Sequence, residues 1–112
     1  MPIEVGYWSL RGLVGFIRLI DAYTEEGIKW KTYEVAKYEE WKKEKAENEK
    51  KFDFPNLPWM IDGDVKITQS LAILKYIAKK HGLTHDGTLK GEANADMVEV
   101  ITLSLIVFHS LK

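Results

Sequence analysis

The chain has 112 residues, with 16 lysines and arginines against 17 aspartates and glutamates, a formal net charge of −1 and no cysteine. This length and a hydrophobic share of 46% predict one folded domain with its own core rather than a disordered chain. The balanced charge argues against nucleic acid as a main partner, because phosphate binding requires a basic excess. The lack of cysteine excludes a disulfide, a thiol nucleophile and a cysteine-ligated metal.

The sequence also disfavours a metal site and a membrane segment. Three scattered histidines do not supply a metal cluster. The longest apolar stretch, Val100 to Phe108, has nine residues, whereas a membrane span requires about 20. The first residues lack the basic and apolar regions of a secretory leader. We therefore expect a soluble, cytoplasmic protein.

The first 35 residues predict a strand, a helix and a second strand. Residues 3–8 alternate apolar and polar side chains, as a half-buried strand does. Segment 28–35 is rich in β-branched and aromatic residues, which favour a strand. Between these segments, apolar side chains recur at helical spacing: Leu13, Phe16, Ile17, Ile20 and Tyr23. Two strands joined through a helix predict parallel pairing and a right-handed crossover.

The segment from Lys37 to Lys51 is the most charged, with six lysines and five glutamates. Glu39 and Lys43 stand four residues apart in the order that favours a helix, so we expect a solvated surface helix. Trp41 is the exception in this segment. A large aromatic side chain among so many charges either packs inward or forms the wall of a site.

The next segment predicts a turn, a hairpin and a helix. Two prolines within residues 54–58 hold the chain extended. Asp62 and Gly63 between apolar runs indicate a β-hairpin. Apolar spacing over residues 71–78 predicts a helix, with Thr68 or Ser70 as its N-cap.

A polar connector and an apolar segment complete the chain. Residues 84–91 contain two glycines and predict a linker, and residues 92–112 predict a final helix with the apolar side chains Met97, Val98, Ile101, Leu105, Val107 and Phe108. Such a helix is expected to be buried, on this domain or on another chain, unless the sequence is a fragment. The predicted order of elements is β-α-β-α-β-β-α followed by one helix.

Three places at the ends of these elements suggest a small-molecule site. Tyr7 ends the first strand, where open α/β sheets bind ligands. A cis bond before Pro58 would expose the backbone N–H and C=O of Leu57 to a peptide-like ligand. Gln69 and Ser70 begin a helix, whose free N–H groups favour an anion. Singly, a core tyrosine, a plain turn and an ordinary cap explain these features, whereas together they suit an anionic, peptide-like molecule.

Several uncommon motifs resemble the mu-class glutathione transferases over residues 1–83. They are Gly6-Tyr7-Trp8, Arg11-Gly12-Leu13, Ile17-Arg18-Leu19, Phe54-Pro55-Asn56-Leu57-Pro58, Ile61-Asp62-Gly63, Lys66-Ile67-Thr68-Gln69-Ser70 and the run from Ala72 to His81. The resemblance implies an α/β, thioredoxin-like βαβ-α-ββα domain with a mixed four-stranded sheet over residues 1–83. The linker 84–91 and the helix 92–112 would then begin an all-α second domain whose remainder is absent. The implied activity is to join glutathione, as co-substrate, to small electrophiles without a further cofactor.

The resemblance also implies a role for each matching residue. Tyr7 would donate a hydrogen bond to the glutathione sulfur and stabilise the thiolate, which is scarce at neutral pH because a free thiol has a pKa of about 8.5. The other implied glutathione contacts are Trp8 and Leu13 lining the site, Trp41 and Lys45 at the glycyl end, Asn56, Leu57 and a cis Pro58 along the cysteinyl backbone, and Gln69 and Ser70 at the γ-glutamyl end.

Two departures from the family pattern affect this site. The segment between Trp41 and Pro55 carries two extra residues, so counting from Trp41 places Lys45 at the glycyl end, whereas counting back from Pro55 places Glu47 there. A glutamate would repel the glycyl carboxylate. In the final helix, the family's aspartate that reaches the partner's glutathione corresponds to Ser104 or Leu103, so that contact is lost.

We expect a homodimer through Phe54, which resembles the family's aromatic side chain that enters the partner subunit, and through the apolar final helix. Lys75 stands where the family has an interface arginine, whose planar bidentate contacts a lysine does not reproduce. The alternative is a catalytically weak or inactive binding module, in which the site residues persist for the fold and the apolar final helix mediates association. A thiol–disulfide oxidoreductase is excluded because the chain has no cysteine.

Overall fold

The structure is a computed structural model that describes the backbone of residues 2–110 and the side chains of residues 2–101. The chain divides into two compact units, Met1–Ile77 and Ala78–Lys112. The described strands all belong to the first unit. The predicted apolar side chains Leu105, Val107 and Phe108 lie outside the described side chains, as do Leu103 and Ser104.

Four strands form one mixed sheet: β1 (Glu4–Trp8), β2 (Lys29–Tyr33), β3 (Trp59–Asp62) and β4 (Val65–Thr68). Their order across the sheet is β2-β1-β3-β4. β1 pairs parallel with β2 and antiparallel with β3, and β3 pairs antiparallel with β4. The predicted parallel pair and hairpin are therefore confirmed, and so is the thioredoxin-like α/β class.

Three helices follow in the predicted order: α1 (Gly15–Thr24), α2 (Tyr38–Asn48) and α3 (Ser70–Lys80). A short 3-10 segment precedes α1 at Gly12–Val14, so α1 begins later than the apolar spacing from Leu13 indicates. α2 ends at Asn48 rather than at Lys51, where the charge pattern would carry it. After Asn48 the chain continues in turns, in which the Asn48 carbonyl oxygen accepts the N–H groups of Lys51 and Phe52.

The final helix, α4 (Leu89–Ser110), begins three residues before the predicted start at residue 92. Thr88 explains the difference, because its hydroxyl oxygen accepts the backbone N–H of Gly91 at 2.9 Å and its carbonyl oxygen accepts that of Glu92 at 2.9 Å. This is a side-chain N-cap on the first turn. The glycine that favoured a linker at this position is therefore inside the helix.

The hydrophobic core of the first unit is built around β1. Val5, Gly6 and Tyr7 are consecutive and all buried, so both faces of this strand are covered. The other buried apolar side chains come from β2, β3, the helices and their connections: Ile3, Val14, Ile17, Ile28, Tyr33, Trp41, Phe52, Leu57, Trp59, Met60, Ile73 and Ile77. Because both faces of β1 are packed, the strand holds the start of the loop after Trp8 in a fixed position.

The connection between α1 and β2 depends on one carboxylate. Asp21 Oδ1 accepts the backbone N–H groups of Gly27 and Ile28, both at 3.1 Å, and its Oδ2 accepts the indole N–H of Trp30 at 3.3 Å. The guanidinium of Arg18, which belongs to α1, lies 4.0 Å from the centroid of the Trp30 ring. These contacts set where β2 begins beside β1.

Two kinds of feature are absent from the part of the chain that the structure describes. No helix there is both long and apolar enough to cross a membrane. No group of three or more histidine, aspartate or glutamate side chains there is arranged to hold a metal ion.

Candidate functional site

The strand register brings together the end of β1, the start of β3 and the end of β4. Gly6 pairs with Trp59 across the β1–β3 ladder, and Trp59 also pairs with Thr68 across the β3–β4 ladder. Because both ladders are antiparallel, the residues before Trp59 lie between those that follow Gly6 and those that follow Thr68. At this end of the sheet stand the predicted site residues Tyr7, Leu57 and Gln69.

Tyr7 is held by the loop that follows β1. Its side chain is 6% exposed, and its hydroxyl oxygen accepts the backbone N–H of Leu13 at 3.1 Å. Gly12, with a φ of +36°, comes so close that a Cβ there would lie 2.5 Å from the same oxygen. Since the loop donates to the oxygen, the hydroxyl proton is available for donation to a ligand.

The segment before β3 has the cis bond that the resemblance implies. The Leu57–Pro58 peptide bond is cis, and both residues are buried. The backbone N–H of Leu57 is not open, because it donates to Asn56 Oδ1 at 2.9 Å. A peptide-like ligand that pairs with this N–H has to displace the Asn56 side chain. The two predicted site residues therefore share one hydrogen bond.

Gln69 joins β4 to α3 in an unusual conformation. Its φ of +78° lies in the left-handed region, which residues other than glycine rarely adopt. Its carbonyl oxygen accepts the N–H of Ile73 at 3.1 Å, so α3 starts immediately after the strand. The half-buried Ser70 and the exposed Gln69 thus stand at a helix N-terminus, where backbone N–H groups favour an anion. Side-chain-bearing residues in this conformation cluster at functional sites.

Trp41 packs inward. It is 4% exposed, and the rings of Tyr33 and Trp8 meet it edge-on at centroid distances of 5.3 and 6.4 Å. Of the two roles that its polar surroundings leave open, the structure shows the packed one. Tyr38, which the sequence analysis did not single out, stacks on Trp8 at 5.9 Å and is 53% exposed. A single tyrosine at the start of a charged helix is not part of an apolar periodicity, so the sequence pattern does not predict this contact.

Tyr33 is the most perturbed titratable group in this cluster. Burial raises the pKa of Tyr33 well above its ordinary value of 10.0. The indole N–H of Trp59, which donates to the Tyr33 hydroxyl oxygen at 3.2 Å, acts in the opposite direction, and Glu44 raises the pKa further. Tyr33 is therefore a neutral phenol of the core at physiological pH rather than an acid or base for chemistry.

The remaining predicted residues lie on the surface. Lys45 and Glu47 are both exposed on α2, and residues two apart on a helix point in different directions. Only one of them can therefore face a given ligand, and the choice between them stays a prediction. Phe54 is 76% exposed, and Lys75 is exposed on α3.

Comparison with known proteins gives a consistent result. Residues 3–79 match the family described as glutathione S-transferase, N-terminal domain. The chain is 42% identical over 112 residues to glutathione S-transferase B of Cavia porcellus, which covers 95% of this chain and 52% of the relative. It is 45% identical over 102 residues to glutathione S-transferase Mu 2 of Pongo abelii, which covers 88% of this chain and 46% of the relative.

One solved structure is similar to this chain in both fold and sequence. The crystal structure of the glutathione S-transferase Blo t 8 superimposes with a TM-score of 0.81 and 31% identity, covering 90% of this chain and 45% of that one. The mu-class resemblance is thereby confirmed. The chain spans about half the length of the curated relatives it matches.

Proposed function

We propose that this chain, which belongs to the glutathione S-transferase family, binds glutathione and activates its thiol for conjugation to small electrophiles. The observation that carries the proposal is the Tyr7 hydroxyl, which accepts a hydrogen bond from Leu13 and keeps its proton for a ligand. Glutathione is the co-substrate, no further cofactor takes part, and the proposed setting is the cytoplasm.

Tyr7 would act by stabilising the thiolate. A free thiol has a pKa of about 8.5, so little thiolate exists at neutral pH. A hydrogen bond donated to a charged group contributes about 1.5–3 kcal/mol. Since one pKa unit corresponds to about 1.4 kcal/mol, this bond lowers the thiol pKa by roughly one to two units. The Leu13 N–H polarises the hydroxyl in the direction that strengthens its donation.

The other predicted residues would bind the tripeptide along the sheet end. The backbone of Leu57 would pair with the cysteinyl residue once Asn56 moves aside, and Gln69 and Ser70 would hold the γ-glutamyl end. The proposed remaining contacts are Trp8, Leu13, Pro58, Trp41 and Lys45. Because Trp41 is only 4% exposed, it would contribute mainly by packing against Trp8 and holding that side chain in place.

The test is a titration of the 112-residue chain with glutathione, followed by ultraviolet absorbance of the bound thiolate against pH. The chain is expected to bind about one glutathione and to lower the thiol pKa. In Tyr7→Phe, binding should stay within about 3-fold while the thiol pKa returns by roughly one to two units toward its free value. Equal thiol pKa values in the two proteins would remove the role of Tyr7.

A second function, a binding module that associates through α4, is favoured by exposed apolar side chains on that helix. Met97, Val98, Val100 and Ile101 are each more than half exposed. The proposed homodimer through Phe54 and the Lys75 region would use another surface. Sedimentation velocity of Phe54→Ala and Ile101→Glu separates the two: loss of association in the first supports the Phe54 contact, and loss in the second supports α4.

A further inference from the structure

We infer that Tyr38 is a positioning residue, which holds the indole of Trp8 in the orientation that lines the proposed glutathione site. The inference rests on the proposed function, because Trp8 is one of its proposed contacts. Tyr38 lies outside every motif on which the family resemblance depends. Its role is therefore argued from the contacts that this chain makes.

Trp8 needs support of its own, separate from that of Tyr7. It is the last residue of β1, and successive side chains of a strand leave opposite faces of the sheet. The contacts that fix Tyr7, from Gly12 and Leu13, are therefore made on the face opposite to Trp8. Trp8 is also half-buried, whereas Tyr7 is buried, so the core alone constrains the indole less.

Three aromatic rings surround the indole of Trp8. Tyr33 and Trp41 meet it edge-on, both at a centroid distance of 6.4 Å, with interplanar angles of 74° and 76°. Tyr38 is stacked on it at 5.9 Å and 16°. An edge contact limits the sideways movement of a ring, whereas a contact on its face limits its tilt. The stacked ring of Tyr38 therefore sets the tilt of the indole.

Short connections place Tyr38 beside Trp8. Ser9, which follows Trp8, donates its backbone N–H to the carbonyl oxygen of Tyr33 at 2.8 Å, so the chain after β1 stays next to the end of β2. Residues 34–37 then lead directly from β2 to α2, and Tyr38 is the first residue of that helix. The stack is thus built from the ends of two paired strands and the start of the next helix.

Tyr38 differs from the other two rings in its exposure. Tyr33 and Trp41 are 6% and 4% exposed and belong to the core, whereas Tyr38 is 53% exposed. Replacing Tyr38 therefore removes the contact on the face of Trp8 without opening the core. This exposure makes the effect on Trp8 separable from an effect on the fold.

The stack connects the two ends of the proposed site. Tyr38, Trp41 and Lys45 follow one another at helical spacing on α2, so they lie on one side of that helix. Trp41 and Lys45 are proposed contacts of the glycyl end. Trp8 follows Tyr7, the proposed contact of the thiol. Loss of the Tyr38 ring should therefore weaken glutathione binding through Trp8 and leave the thiol pKa, which depends on Tyr7, unchanged.

The binding test uses three substitutions in the full chain. Tyr38→Leu removes the flat ring and keeps an apolar side chain, and Tyr38→Phe keeps the ring without its hydroxyl. Tyr23→Leu is the matched control at a 77% exposed position on α1. Tyr38→Leu is expected to weaken glutathione binding by about 2- to 10-fold, the range for an offset aromatic stack. Tyr38→Phe and Tyr23→Leu should bind glutathione as the unaltered chain does.

A double-mutant cycle tests whether Tyr38 acts through Trp8. In the Trp8→Leu background, Tyr38→Leu should weaken glutathione binding no further, because the ring that it supports is gone. The pKa of the bound thiol, measured by the ultraviolet absorbance of the thiolate, should be the same in Tyr38→Leu and in the unaltered chain. A general loosening of the site would change that pKa. Circular dichroism and thermal unfolding establish that each variant is folded.

A measurement without ligand tests the orientation of Trp8 itself. The four tryptophans are replaced by fluorotryptophan, and the fluorine resonance of Trp8 is identified by its loss in Trp8→Phe. Tyr38→Leu should shift the Trp8 resonance, because the stacked ring no longer acts on the indole. The resonance of Trp30, which contacts Arg18, should stay in place. Tyr38→Phe should leave both resonances unchanged.

The outcomes separate the positioning role from the proposed function. An unshifted Trp8 resonance in Tyr38→Leu, or a loss of affinity that persists in the Trp8→Leu background, means that the positioning role is wrong and leaves the proposed function standing. Equal weakening in Tyr38→Phe and Tyr38→Leu also overturns it, since the hydroxyl rather than the ring would then be responsible. If the unaltered chain does not bind millimolar glutathione, the proposed function fails, and the role of Tyr38 in binding fails with it.

Discussion

At the scale of single residues, the absence of one Cβ at Gly12 decides how Tyr7 is held. The Gly12 backbone passes so close to the Tyr7 hydroxyl that any side chain would collide with it. The same loop supplies the Leu13 N–H that donates to that hydroxyl. Position 12 therefore controls the one group to which we assign chemistry, although it has no reactive atom of its own.

Gly12→Ala is expected to lower the free energy of unfolding by about 2–3 kcal/mol, from the left-handed φ and the collision together. Gly63→Ala is the matched control. It has a φ of +59° but nothing within 4 Å of the added Cβ. The control should therefore lose only about 1 kcal/mol. Urea unfolding of both variants checks this, and equal losses would mean that the contact with Tyr7 has no energetic effect.

Gln69→Gly tests whether the conformation of Gln69 is kept for binding. Glycine removes the cost of about 1–2 kcal/mol for a side chain in the left-handed region, and this gain offsets its greater freedom in the unfolded chain, about 0.5–1 kcal/mol. Stability should stay equal or rise while glutathione affinity falls. Chemical denaturation and titration measure the two effects. A variant that loses stability and keeps affinity would assign Gln69 a purely structural role.

The sequence allowed Tyr7, Leu57 and Gln69 to be predicted as neighbours, because strand ends and a helix start are visible in the pattern. It did not predict that Asn56 occupies the Leu57 N–H or that Tyr38 stacks on Trp8. Those contacts depend on side-chain rotamers, which local periodicity does not encode.

At the scale of elements, the α1–β2 connection shows how a side chain can replace backbone pairing. The three N–H groups that Asp21 accepts belong to residues six to nine positions later. Two of these donors, on Ile28 and Trp30, are partly buried, so they would lose free energy without an acceptor. The parallel pairing of β2 with β1 starts from this contact.

Asp21→Ala is expected to lower the free energy of unfolding by about 2–3 kcal/mol, because partly buried donors lose their acceptor. Asp21→Asn keeps one acceptor oxygen and should lose about 1 kcal/mol. Asp64→Ala, in an exposed hairpin turn, is the control and should change stability little. Urea unfolding ranks the three variants. Asp21→Ala behaving like Asp64→Ala would contradict the assigned role.

Element types were more predictable than element ends. The predicted order of strands and helices is confirmed, since apolar spacing at periods of 2 and 3.6 is set by burial. The end of α2 at Asn48 and the start of α4 at Leu89 differ from the prediction. The start of α4 depends on a capping hydrogen bond at Thr88, which the apolar pattern does not contain, and the turns that follow α2 likewise lie outside that pattern.

At the scale of the whole molecule, the aromatic cluster links core stability to pH. Tyr33 is buried and has a pKa raised above 10.0, so the folded chain keeps its phenol proton at a pH where the unfolded chain releases it. Ionisation of Tyr33 therefore favours the unfolded state above about pH 10. Below about pH 10, the contribution of the neutral Tyr33 phenol to the free energy of unfolding is fully present.

The free energy of unfolding is expected to fall as pH rises above 10, with Tyr33 contributing at most about 1.4 kcal/mol per pH unit. Tyr33→Phe should reduce this slope, although its stability at neutral pH is lower because the Trp59 hydrogen bond is lost. Tyr23→Phe, at an exposed position, should leave the slope unchanged. Unfolding in urea at pH 8 to 11 provides the comparison, and an unaltered slope in Tyr33→Phe would rule out this coupling.

The double pairing of β3 has a consequence for how the chain tolerates change in length. Since β3 is hydrogen-bonded on both sides, Leu57 keeps its distance from both Tyr7 and Gln69 whatever the length of the connection that precedes it. We therefore expect an insertion or deletion in the exposed stretch Glu49 to Lys51 to leave these two distances unchanged. Such a change in length would reposition α2, and with it the proposed glycyl contacts, while the proposed contacts of Tyr7 and Leu57 stay in place.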